Sequence, residues 1–366
     1  MQLSCKQQSL ANALSIVCRA INNNNTLPVL NNILLETKDN QIQLCATNLE
    51  IAIKTIIPAE ITEAGSITIP AKVFTSYVQL INQKNVDLKL TRDLSVEISN
   101  QEDYTKIKSI SATDFPSVPT IQAETEVVIT EKELAQGLHL TAFSASLHSS
   151  RPALAGVLFK ITDGVLTLAA TDSYRLAEKK IKLVSSEKDF SCVLPVRSAH
   201  ELAKLLQADS KNELTIKLSK NQMEIVIGNT TFISRLIEAD YPDYSKIIPQ
   251  TEKTKIIVEK AEIDTALKKI SIFTREINNN MKIAIIEDQL RLLSNETKIG
   301  EGEVKIKVKK EGENNEVAVN SQFLHDVINI LNEKELTLII NDNNLPILVK
   351  SEKTSDYLYF IMPLKI

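Results

Sequence analysis

Apolar residues recur at every second position on both sides of a polar tip in three windows of the chain, 30–53, 154–177 and 281–295. The tips are Lys38-Asp39-Asn40, Thr162-Asp163-Gly164 and Glu287-Asp288. A period of two around such tips predicts three β-hairpins, each with one buried face. Asp, Asn and Gly suit the tips because they tolerate positive φ. Elsewhere the period lengthens to that of a helix. Leu10, Ala13, Leu14, Val17, Cys18 and Ile21 predict a helix over 7–21. Leu134, Leu138 and Ala142 predict one over 131–144, and Ile263, Ala266, Leu267, Ile270 and Phe273 one over 260–273. A second helix follows each hairpin region: AKVFTSYVQLI after Pro70, VRSAHELAKLL after Pro195 and SQFLHDVINIL after Asn320. Proline opens a helix at little cost, since its missing N–H is not needed there. Further alternating runs come next, in the middle of the chain over 214–219 and 222–237.

The windows are copies of one another. Segment 30–53 aligned with 154–177, at an offset of 124, shares six of 24 positions without a gap; chance would give about one or two. The identities are Leu30/Leu154, Leu34/Leu158, Asp39/Asp163, Leu44/Leu168, Ala46/Ala170 and Thr47/Thr171. The third copy keeps the pattern: Ile33, Val157 and Met281 align, as do Leu44, Leu168 and Leu292. Each copy reads helix, hairpin, helix, more strands. The predicted fold class is therefore α+β, three repeats with helices packed on antiparallel sheet. The Pro-bearing segments 114–125 and 240–254 predict the junctions, and the domains are expected at 1–122, 123–250 and 251–366.

Composition narrows the function. The 366 residues are near three times 122, with 43% hydrophobic and 24% charged residues, ordinary for a globular chain. Aromatics are 4% and Trp is absent, so the cores must be built from Leu, Ile, Val and Ala. Gly is scarce at eight residues, and no GxxxxGK[ST], GxGxxG, GxSxG or HExxH motif occurs. Cys5, Cys18, Cys45 and Cys192 have no CxxC spacing and read as buried small hydrophobes of a reducing compartment. The four His lie far apart, in no metal-binding arrangement. No run approaches the ~20 apolar residues of a membrane helix, and the N-terminus lacks a signal-type apolar run, so a cytoplasmic chain is expected. Net charge is −4, which announces no nucleic-acid binder. The polar helix faces nevertheless carry Lys6, Arg19, Lys72, Lys132, Arg197, Lys204, Lys260, Lys268 and Lys269, diluted by Glu131, Glu133, Glu201, Asp264 and Asp326. Such faces are either plain solvated surface or a mildly basic surface that attracts phosphate backbone without reading sequence.

Four segments carry a family resemblance: TLPVLNNILLE (26–36), AATDSYRLA (169–177), DYPDYSKIIP (240–249) and FIMPLKI (360–366). Together they resemble the bacterial sliding clamp, the β subunit of DNA polymerase III, over the whole chain. The resemblance implies the DNA clamp fold, with two three-domain subunits closing head to tail into a ring whose helices line the hole. It implies a non-catalytic replication processivity factor, without cofactor or metal, that encircles duplex DNA without sequence specificity. It implies as partners a second copy, the replicative DNA polymerase, an ATP-using clamp loader and other clamp-motif proteins. DNA contact is implied for Lys72, His148, Arg151, Arg197, Lys204 and Lys268. A pocket for partner peptides is implied at Leu154, Thr171, Ser173, Tyr174, Arg175, Leu176, Pro242, Lys246, Ile247, Asn320, Phe323, Ile361, Met362, Pro363 and Leu364. An apolar cleft with a few polar anchors suits such peptides. By pattern alone, Leu154, Leu176 and Phe323 fit a core equally well. The chain departs from the family at Ser173-Tyr174, where Gly-His is frequent. It departs again at Asn22–Asn25, where some members carry Arg, and at Pro152 and Ala153, where some carry two Tyr. The residues alone also admit a repeat-built protein-interaction scaffold without DNA encirclement, or an enzyme with a dispersed site; no sequence feature supports convergent acid and base groups.

Overall fold

A computed structural model describes residues 1–22, 27–99, 104–118, 120–147, 149–249, 251–351 and 356–364. Each predicted hairpin forms around a two-residue turn. Asn32–Lys38 pairs with Gln41–Thr47, Gly156–Thr162 with Val165–Thr171, and Asn280–Ile286 with Gln289–Leu293. Asp39, Asp163 and Glu287 adopt positive φ at these tips, at 51°, 51° and 50°. Along Asn32–Lys38 the buried residues Ile33 and Leu35 alternate with less buried neighbours, the signature of a sheet with one covered face.

Six helices stand among the described residues: α1 Gln7–Val17, α2 Ala71–Leu80, α3 Glu131–Thr141, α4 Val196–Leu205, α5 Lys260–Thr274 and α6 Ser321–Ile330. The helical stripes of α1, α3 and α5 run on through one 3-10 turn each, 18–20, 142–144 and 275–277, which explains the longer span that periodicity predicts for the first two. Pro70 is the N-cap residue, one position earlier than the first helical residue, and it also ends a strand. Asn320 caps α6 by accepting a hydrogen bond from Gln322 N–H at 2.9 Å. The run 222–237 is not one strand: Gly228, at φ +56°, turns it into a hairpin of Gln222–Ile227 and Thr230–Arg235. Pattern also misses the strand before each first helix, at Gln2–Lys6, Thr125–Thr130 and Thr254–Glu259.

By compactness the chain falls into two units, Met1–Lys132 with Val184–Glu187 and His200–Leu236, and the remainder. The reason is visible in the sheets. In the first unit a nine-stranded antiparallel sheet takes strands from the first and middle repeats, joined where Thr230–Arg235 pairs with Ile51–Pro58. In the second unit another nine-stranded sheet takes strands from the middle and third repeats, joined where Arg175–Lys182 pairs with Tyr357–Ile361. Each unit also holds a smaller sheet. That of the first ends in the edge strand Tyr104–Lys108, and that of the second has Glu303–Lys307 at an edge. Helix α5 buries Ile263, Leu267 and Ile270 in a core with Ile283, Leu292, Val317, Leu324, Leu338 and Tyr359.

Leu267 is fully buried in that core, whereas the neighbouring Lys268 is exposed and pairs with Asp264 on the surface of α5. Leu267→Ala should cost ~2–5 kcal/mol and Lys268→Ala less than ~1 kcal/mol. Urea unfolding followed through amide exchange of Asn280–Ile286 checks both, and equal effects would contradict this placement of α5.

Candidate functional site

The best-defined constellation lies in the second unit, at the strand junction between middle and third repeats. Residues 171–175 form a tight turn built on side-chain oxygens. Thr171 Oγ1 donates to the Arg175 carbonyl at 2.6 Å and accepts from Ser173 N–H at 3.1 Å. Asp172 Oδ1 accepts from the N–H groups of Tyr174 and Arg175 at 2.9 and 3.0 Å. The turn places Ser173 at φ +81°, a region that favours glycine. It leaves Ser173 and Tyr174 exposed. The C-terminal segment is tied to it: Met362 N–H donates to the Tyr174 carbonyl at 2.7 Å, and Leu364 N–H to the Ala318 carbonyl at 2.8 Å.

Successive side chains of the strand after the turn serve opposite faces of the sheet. Leu176, opposite Phe360, joins Ile339, Leu348 and Phe360 in a small apolar cluster. Tyr244, Ile248, Leu358 and Met362 pack against it. Tyr244 is held there by a 2.5 Å hydrogen bond from its hydroxyl to Glu178. The neighbouring Pro242, Lys246 and Ile247 are exposed, the latter two in the 3-10 turn Ser245–Ile247. Arg175 points the other way. Its guanidinium donates to Asp172 at 3.0 Å, to Asp326 of α6 at 2.5 Å and to the Phe143 carbonyl at 3.0 Å. It also stacks over the rings of Phe323, at 4.7 Å, and Phe143, at 5.5 Å. Burial opposes the charge on Arg175, but Tyr359, Asp326 and Asp172 outweigh it and hold its pKa above the ordinary value.

The structure thus brings Thr171, Ser173, Tyr174, Leu176 and Met362 together at one turn, while Leu364 is tied to Ala318. It sets Arg175 and Phe323 behind it as a packed wall whose donors are already engaged. Ile361 and Leu154 are buried, Asn320 caps α6, and Pro363 is half-buried. Sequence reasoning misses Asp172, which shapes the turn, although an Asx turn is legible in Thr-Asp-Ser. It also misses Phe143, Tyr244 and Asp326, which no local signal marks.

The basic residues are spread over both units. Lys72, Arg151 and Arg197 are exposed and form no ion pair among the described residues. Lys204 pairs with Glu201 at 2.7 Å and Lys268 with Asp264 at 2.6 Å, so their charge is partly spent within their own helices. Glu201 lies 3.6 Å from Arg19 as well. His148 lies outside the described residues.

For other chemistry the described residues offer little. No group of three or more His, Cys, Asp or Glu among them is placed to hold a metal ion. Burial pushes the Cys5, Cys45 and Cys192 thiols up to about 12, which leaves them protonated and unreactive. No helix among the described residues is long and apolar enough to cross a membrane.

Comparison with known proteins gives one answer along the whole chain. Sequence models of the N-terminal, central and C-terminal domains of the DNA polymerase III beta subunit match residues 1–119, 128–243 and 245–365. The beta sliding clamp of Chlamydia pneumoniae is 28% identical over 368 residues, covering 100% of this chain and 99% of the relative. That of Synechocystis sp. is 27% identical over 390 residues, with both chains fully covered. The crystal structure of the DNA polymerase sliding clamp from Bacillus subtilis superposes with a TM-score of 0.95 at 26% identity, covering 100% of this chain and 99% of that one. With the three domain matches falling one after another along its length, the chain belongs to the family of bacterial β sliding clamps, the β subunit of DNA polymerase III.

Proposed function

We propose that this sliding clamp works by topology and not by chemistry. Three clamp domains, 1–122, 123–250 and 251–366, belong to each chain, and two chains join head to tail in a closed ring around duplex DNA. The observation that carries this reading is the run of three successive clamp-domain matches over the full length. Phosphates meeting Lys72, Arg151, Arg197, Lys204 and Lys268 are attracted without being fixed in register, so the ring slides. His148 belongs to the same proposed set. A polymerase bound to the ring stays at the template through effective concentration. The clamp itself catalyses nothing and works in the cytoplasm, and a separate clamp loader supplies the energy to open it.

Ring closure needs two complementary ends. Tyr104–Lys108 and Glu303–Lys307 are each hydrogen-bonded on one side only, to Ser95–Ser99 and Gln289–Leu293. Free strand edges pair readily with another chain. Apolar side chains lie exposed near both: Tyr104 is 64% exposed on the first edge, and Ile272 of α5, the helix packed beside the second, is 61% exposed. Pairing of one subunit's first edge with its partner's second would close the ring twice over.

The turn at 171–175 with the C-terminal segment is the proposed docking site for partner peptides. Leu176 and Met362 supply its apolar surface, Ser173, Tyr174, Pro242, Lys246, Ile247, Pro363 and Leu364 its rim, and Leu154, Thr171, Arg175, Asn320, Phe323 and Ile361 the packed wall behind it. Polymerase and other clamp-motif proteins take turns there.

The chain is expected to sediment at twice its own mass at micromolar concentration. Ile272→Asp should weaken the dimer at least ~10-fold, about 1.4 kcal/mol, as read by sedimentation equilibrium; a monomeric parent chain would contradict the ring. Removal of Met362–Ile366 should abolish polymerase stimulation while the dimer mass is kept, and undiminished stimulation would overturn the docking assignment.

A further inference from the structure

The turn at 171–175 has a twin in the first unit, at the offset of 124 that relates the first two repeats. Thr47 Oγ1 donates to the Ile51 carbonyl at 2.8 Å and accepts from Leu49 N–H at 3.0 Å. Asn48 Oδ1 accepts from Glu50 and Ile51 N–H at 3.0 and 2.7 Å. Each bond to the hydroxyl and to Oδ1 in the later turn has its counterpart, with Asn48 in place of Asp172; the Arg175 Nε bond to Asp172 has none, since Ile51 stands there. Leu49 sits at φ +73°, where Ser173 sits at +81°. The strand pairing matches as well: Ala52 lies opposite Ile233 as Leu176 lies opposite Phe360. Arg235 N–H donates to the Glu50 carbonyl at 2.9 Å, the bond that Met362 makes to Tyr174. Pro116 follows Phe115 in the first junction as Pro242 follows Tyr241 in the second.

A cleft opens beside this twin turn, with Leu49, Ala52, Pro116, Val118, Ile233 and Arg235 among its lining residues. Its free volume for water-sized groups is about 60 Å³. One water needs ~10–15 Å³ by that measure, so the cleft has room for about four to six heavy atoms, one aliphatic side chain. Two substitutions relative to the later site decide its chemistry. Ala52 in place of Leu176 leaves space on the floor, and Arg235 in place of Met362 puts a cation on the rim. Arg235 is exposed and forms no ion pair among the described residues. Leu49 is 46% exposed at the lip although its backbone conformation disfavours a leucine, a combination that core packing does not explain.

We propose that this cleft is a second docking site for short extended peptides, one that takes a single aliphatic side chain on Ala52 and Ile233 with a neighbouring acidic side chain on Arg235. Glu50 also lines the cleft and disfavours a second acid beside the first. The assignment rests on the reading of the later turn as a peptide site, since the shared geometry is what links them. One ring would then offer two kinds of anchor, and a partner with an acidic motif would not displace one held at the later site.

The test is photo-crosslinking of the full-length chain with N-acetyl-Asp-Leu-Leu amide whose central leucine carries a diazirine, with labelled residues mapped by mass spectrometry. Labelling within 47–52, 116–118 or 233–235 is expected, falling at least tenfold in Arg235→Glu and Arg235→Gln and surviving removal of Met362–Ile366. Labelling confined to 171–176 and 360–364 would overturn the second site while leaving the later one standing. Labelling in neither region would overturn both readings. Labelling near Leu49 that ignores both Arg235 variants would overturn the assigned acidic partner.

Discussion

Antiparallel pairing of a strand from one repeat with a strand from the next is the interaction on which the rest depends. A sheet that ends inside a protein leaves a row of unpaired N–H and C=O groups, and burying them unpaired is costly. This chain resolves the problem at two of its joints by running the sheet through them, at Thr55 against Thr230 and at Lys179 against Tyr357. At the first joint the two threonine hydroxyls also lie 3.0 Å apart in a buried hydrogen bond. Tyr104–Lys108 and Glu303–Lys307, each the outermost strand of a smaller sheet, are among the edges that stay open. Both turns proposed for docking follow from the same constraint. Where a sheet crosses from one repeat to the next, the chain must turn sharply beside the crossing and the junction loop must pass over it. At the first joint the result is a cleft beside Ala52 and Ile233, and at the second an apolar cluster around Leu176 and Phe360.

How much of this is legible in the sequence depends on how local each cause is. Hairpins follow from a period of two and from turn residues such as Asp163-Gly164, all within a few positions. Helix stripes are equally local. The hairpin at Gly228 is hidden because Asn229 and Thr230 continue the polar texture of a strand edge. The strand Ile51–Pro58 is hidden because its residues are apolar on both faces, which period cannot resolve. The site is least legible of all. Arg175 is fixed by Asp326, 151 positions away, and Tyr244 by Glu178, 66 positions away. No spacing rule reaches that far, so the site residues came through family resemblance. The twin turn at 47–51 was open to view in the repeat alignment, yet nothing but its hydrogen bonds reveals it as a turn of the same kind.

Charge teaches a related lesson. A net charge of −4 says nothing about the sign of any one surface. Lys204 and Lys268 form ion pairs with acidic residues of their own helices, whereas Lys72, Arg151 and Arg197 form none among the described residues. The last three therefore keep the greater share of their field for a phosphate, and they are the positions where loss of charge should matter most for a sliding ring.

Retention on nicked circular DNA, compared before and after the circle is cut, tests topological linkage most directly. Once loaded, the clamp should stay on the circle through gel filtration in salt that disrupts simple phosphate contacts, and should be lost when the DNA is linearised. Equal retention on circular and linear DNA would contradict encirclement and with it the account of how this protein works.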